Sequence, residues 1–146
     1  MKPRTRARGI ALQALYEIDI VNHPAEIVLG ERFAENPLEE NLAEFARQIV
    51  FGVLPLVKEL DSIIARHAPE WPLDQVATID RNILRIALWE IAVSSQTPLK
   101  VAINEAIELG KVFGSDSTPR FVNGVLGSLA LHHQEIIQTF KHLAHS

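Results

Sequence analysis

The sequence predicts an all-α fold. Apolar residues recur at three- and four-residue spacing through most of the chain, and no segment sustains the alternation of a strand. The prolines agree, since Pro24, Pro55, Pro98 and Pro119 stand where such periodic runs begin, bend or stop. About seven helices of ordinary length are expected. They should form two antiparallel three-helix subdomains, roughly 1–70 and 71–146, packed into one domain over 1–146.

The first helix is expected from about Thr5 to Val21, stopping before Pro24. Ala11, Leu12, Leu15 and Ile18 form its apolar stripe, and Arg6, Gly9, Gln13 and Tyr16 share the opposite face. A shorter helix fits between Pro24 and Asn36. The next apolar pattern runs from Leu42 to Ile64, but Pro55 must kink or divide it, because an interior proline removes a hydrogen bond and clashes with the preceding turn. A bend near Gly52 follows. APEWPLDQ, residues 68 to 75, holds two prolines and marks the boundary between halves.

TIDRNILRIALWEIAVS is apolar around most of its circumference, the pattern of a central buried helix. Pro98 opens another helix, which Gly114 ends. Thr118-Pro119 then reads as an N-cap followed by proline at the first helical position. That cap puts Asn123-Gly124 in the second turn of a helix, so this pair is not the hairpin signal it resembles in isolation.

The 146 residues suffice for a sizeable core, and 47% of them are apolar. Cysteine is absent, which excludes disulfides, thiolate metal sites and cysteine nucleophiles. No stretch approaches a membrane span and no apolar leader follows the basic start, so a soluble cytoplasmic protein without membrane contact is expected. The net charge of −4 hides an asymmetry. Lys2, Arg4, Arg6 and Arg8 precede the first acid, Glu17, and the rest of the chain has 10 basic against 18 acidic residues. From Glu17 to Glu44 eight acids face only Arg32, a flank that repels polyanions.

An enzyme is not expected. The chain has no H-E-x-x-H, phosphate loop, G-x-S-x-G or Glu-x-x-His. Glu105 and Glu108 share a helix face, but a solvated or partner-facing surface explains them better than acid/base chemistry. His132, His133, His142 and His145 match no common metal spacing, so neither metal nor cofactor is expected. Trp71 and Trp89 read as packing residues in apolar settings.

The basic arm points to phosphate. Arg6, Gln13 and Tyr16 offer a charge, an amide and an aromatic plane on one face. RFVNGVLG supplies a second surface. Two interior glycines cost roughly 1 kcal/mol each relative to alanine, so Gly124 and Gly127 should admit a close neighbour, either a packed helix or a sugar-phosphate chain. Arg120 stands in a first turn, where the macrodipole favours acids, which hints at an anionic ligand.

These blocks carry a family resemblance. VAINEAIELGKVFG followed by RFVNGVLG resembles the carboxy-terminal signature of the NusB family of bacterial antitermination factors. RTRARGIALQALY is similar to that family's Arg-rich start, and DRNILRIALWEI to its central helix. The resemblance covers nearly the whole chain, with little match from Asn22 to Asn41. It implies a non-enzymatic protein that binds boxA-type single-stranded RNA of nascent ribosomal RNA transcripts. It would do so as a heterodimer with the ribosomal protein NusE, within a complex that keeps RNA polymerase from terminating. By resemblance, Lys2, Arg4, Arg6, Arg8, Gln13 and Tyr16, then Lys100, Asn104, Lys111, Arg120, Phe121 and Asn123, contact RNA. Asp80, Arg81 and Leu84 face NusE. Two alternatives stay open: a helical homodimer with an interaction or regulatory role, and an RNA-binding module related to ribosomal RNA methyltransferases.

Overall fold

A computed structural model describes residues 1–144 of the chain. Those residues form eight α-helices and no strand: α1 (Pro3–Val21), α2 (Ala25–Glu35), α3 (Glu40–Val53), α4 (Val57–Arg66), α5 (Thr78–Leu88), α6 (Leu99–Phe113), α7 (Thr118–Ala130) and α8 (His133–Ala144). The expected all-α fold is observed.

Most helix boundaries have the causes expected of them. Pro3 sits in the first turn of α1, where its missing N–H costs nothing, and Asn22 ends that helix in the left-handed region at φ 56°. Pro55 splits the long apolar run: α3 ends at Val53, a 3₁₀ turn covers Leu54–Leu56, and α4 resumes at Val57. Pro98 caps α6 and Gly114 closes it. The cap of α7 differs from expectation by one residue. Ser117 precedes the helix and Thr118 lies inside it, its hydroxyl accepting from the Ser115 N–H at 2.9 Å and donating to Asp80 at 2.7 Å. Thr118 therefore ties the α6–α7 turn to α5 rather than capping α7.

The central helix is buried as read, with Ile83, Leu84 and Leu88 all at 0% exposure. After α5 it widens into a π turn over Trp89–Ser94. A π turn shifts every later side chain around the axis, and here Glu90 lies buried inside the protein. α1 packs against α2 and α3 on one side and against α5 and α6 on the other, so one apolar core serves both halves. Close approach between elements depends on four glycines: Gly110 and Gly114 leave room for Thr118, and two others serve α1 and α3. A Cβ at Gly52 would run into the Trp89 indole, and one at Gly9 would come within 3.1 Å of the Phe113 ring.

Trp89 is core, as expected, but Trp71 is not. The Pro69-Glu70-Trp71-Pro72 loop leaves the Trp71 indole 55% exposed. Among the described residues no helix is long and apolar enough to cross a membrane. His145 lies outside the described residues.

Candidate nucleic-acid interface

The amino end of α1 presents its arginines in two directions. Lys2, Arg4 and Arg6 are exposed, whereas Arg8 is 2% exposed. Arg8 shares a stripe with Leu12 and Leu15, four and seven residues on, so the helix that buries those leucines also buries it. Its guanidinium grips Glu90 with two hydrogen bonds of 2.8 Å and lies 3.5 Å from Glu105. Thr97 donates to Glu90 at 2.9 Å, and Thr5 donates to Glu105 at 2.8 Å. Arg8, expected to meet RNA, is thus held inside by Glu90 and anchors the arm, at the floor of the groove that joins the arm to the start of α6. Sequence reasoning missed Glu90, although a lone acid in an all-round apolar helix needs a buried partner.

Arg4 stacks on the Phe45 ring, 3.8 Å from its centroid. Arg6 donates to the Pro37 carbonyl at 3.3 Å. Beside them a groove of about 710 Å³ runs between Lys2, Arg4, Pro98, Val101 and Glu105, joining the arm to the start of α6. Lys100 and Asn104 are exposed on that helix, and Lys111 further along pairs with Glu108 at 3.2 Å. Gln13 and Tyr16 line a separate groove of about 480 Å³ with Arg32, Thr78, Ile79 and Phe113.

On α7, Arg120 and Asn123 are exposed and Phe121 is half-buried. Gly124 and Gly127 have nothing within 4 Å of where a Cβ would stand. No helix packs there, so of the two neighbours that could explain these glycines, the packed helix is removed. Among the described residues no carboxylate lies within 4.0 Å of Lys2, Arg4, Arg6, Lys100 or Arg120. These cations are left for an outside anion. Arg32 and Arg47, by contrast, are spent on Glu17, Glu40 and Glu44.

The three residues expected to face a protein partner are mostly internal. Leu84 is 0% exposed, and Asp80 is buried under Thr118, where burial, opposed by the Thr118 hydrogen bond, pushes its carboxyl above the usual range. Arg81 is the outermost, donating to Asp19 and to the Leu73 carbonyl, each at 3.3 Å. One helix turn on, Arg85 donates to both Asp61 oxygens at 2.7 Å and to Asp19 at 2.9 Å. Burial works to raise the Asp19 pKa, but the Asn82 hydrogen bond and the Arg85 and Arg81 charges outweigh it and hold the carboxyl below its ordinary value. This network clamps α1 and α4 to α5, so the helix expected to face a partner has a structural role of its own.

The arrangement has exposed cations, open backbone and exposed aromatic edges, and among the described residues no cluster of three potential metal ligands. It is suited to binding a polyanion. Comparisons with known proteins fit it. The NusB family model matches residues 5–131. A transcription antitermination protein NusB from Roseiflexus castenholzii is 46% identical over 134 residues, 90% of this chain and 94% of that protein. The structure of T. maritima NusB superposes with a TM-score of 0.83 at 30% identity, covering 94% of this chain and 99% of that one. A structure of antitermination factors NusB and NusE in complex with dsRNA gives a TM-score of 0.79 at 25% identity, covering 95% and 98%. The chain belongs to the NusB family.

Proposed function

We propose that this chain is a cytoplasmic transcription antitermination factor that binds boxA-type single-stranded RNA in nascent ribosomal RNA transcripts, with NusE as its protein partner, inside a complex with RNA polymerase. It acts by binding, without catalysis. The observation that carries this reading is the set of exposed, carboxylate-free cations at Lys2, Arg4, Arg6, Lys100 and Arg120 on an otherwise acidic molecule. Phosphates along a strand supply the missing counter-charge. Phe121 offers a ring on which an unpaired base stacks, which favours a single strand over a duplex.

With Asp80 and Leu84 buried, this reading puts the partner seat on the open surface beside them. The open surface at the start of α5 is the groove of Tyr16, Thr78, Ile79 and Phe113, next to the half-buried Arg81. NusE docks there and extends the RNA-binding surface. A NusB relative solved together with NusE and dsRNA supports the NusE partnership.

The test is a titration of labelled boxA-like RNA with the chain alone and with equimolar NusE, against a scrambled strand and a duplex of equal length. Selective binding of the boxA strand, tightened by NusE, is expected. Equal affinity for all three RNAs in both conditions would defeat the proposal.

A further inference from the structure

The exposed Trp71 lacks a role in packing, and it does not stand alone. Its loop forms one wall of a cleft of about 290 Å³, with Arg120, Phe121 and Gly124 on α7 as the other wall and His67 between them. The loop is held in place: the Trp71 N–H donates to the Ala68 carbonyl at 3.1 Å, the Gln75 N–H to the Pro72 carbonyl at 2.8 Å, and two prolines stiffen the backbone. His67 is fixed by a 2.8 Å contact to Ser128 Oγ. At Gly124 the α7 wall is bare backbone, with no atom within 4 Å of a would-be Cβ.

We infer that this cleft seats one base of the bound RNA, with the Trp71 indole as its stacking surface and Arg120 on the adjoining phosphate. The inference rests on the RNA-binding reading and adds a subsite to it. Three observations select a base as the occupant. The volume is at the small end of ligand sites, about 300 Å³, too little for a helix or a bundle of side chains. An exposed indole and a side-chain-free stretch of α7 line the same cleft, which suits a flat ring. Arg120 and Phe121 also make the cleft continuous with the α7 surface already argued to face RNA. Glu70, the one carboxylate lining the cleft, stands in the Trp71 loop and can accept from a base amino group but not from phosphate.

The experiment uses the full chain and a boxA-like single-stranded RNA, together with the same RNA lengthened by three nucleotides at either end. Affinities for RNA and for NusE are compared for wild type, W71A, W71F, G124L and the arm variant R4A/R6A, with thermal melting of each protein. Stacking on an aromatic side chain corresponds to a loss of about five- to 150-fold on its removal. W71A is expected to weaken binding within that range, and W71F to retain most of it. G124L should fill the slot and weaken binding with no fall in melting temperature. Wild-type affinity in both W71A and G124L, with R4A/R6A weakened, would overturn the cleft and leave the RNA reading standing. Loss of NusE affinity in W71A with RNA affinity unchanged would also overturn it and assign the cleft to protein. No RNA binding by wild type at any length would remove both.

Discussion

Arg4 and Arg8 stand one helical turn apart and do different work. Arg4 lies on the Phe45 ring at the surface, whereas Arg8 is sealed against Glu90. Removing Arg8 leaves a buried, unpaired carboxylate, so Arg8→Ala is expected to cost about 3–5 kcal/mol of folding stability. Arg4→Ala gives up an exposed cation–π contact worth about 0.5–1 kcal/mol; denaturant titration of the two variants separates the roles. His67 adds a pH dependence. Burial, followed by the His132 and Arg66 charges, pulls its pKa below the ordinary value. The unfolded chain therefore takes up a proton near pH 6.5 that the folded chain refuses until lower pH. This contribution is complete above pH 6.5 and is lost as pH falls through the folded value. The melting temperature should drop between pH 7 and 5.5, and His67→Gln should flatten that drop. At this scale the sequence is legible by type and less so by partner. The basic arm is plain from charge order, yet the fate of Arg8 is decided by Glu90, 82 positions away, and only its register with Leu12 and Leu15 signals burial.

Several helix boundaries fall where proline or glycine demands, and Pro55, Pro98 and Gly114 mark boundaries that residue type alone locates. The π turn over Trp89–Ser94 has no such marker, because six residues are too few to tell a wider helical period from the ordinary one. Trp71 departs from the packing role its residue type implies. Tryptophan is usually buried, and here the flanking prolines override that preference by fixing the backbone at the surface. The glycines show how space decides a residue's meaning. Gly124→Ala and Gly127→Ala meet nothing within 4 Å and should each stabilise the protein by up to about 1 kcal/mol through helix propensity. Gly52→Ala drives a methyl into Trp89 and should destabilise by about 1–3 kcal/mol. Thermal melts of the three variants check the contrast, and a gain at Gly52 would show that the indole has room to move.

Across the whole molecule, charge is sorted by pairing more than by count. Arg32, Arg47, Arg81 and Arg85 are engaged by Glu17, Glu40, Glu44, Asp19 and Asp61. Lys2, Arg4, Arg6, Lys100 and Arg120 have no carboxylate partner among the described residues, so an acidic protein still presents a cationic surface. The helical class and the arm are visible in periodicity and charge order. The burial of Leu84 is visible too, in the all-round apolar pattern of α5, whereas that of Asp80 is not, since it follows from how α5 sits against the α6–α7 turn. The most direct test of the central claim is the salt dependence of RNA affinity for wild type against Arg4→Ala/Arg6→Ala, with folding verified for both. Each phosphate contact on a single strand contributes about 0.7 to the slope of log affinity against log salt. The double variant is expected to lose about 1.4 from that slope, together with affinity at low salt. An unchanged slope would contradict the assignment of the arm to RNA.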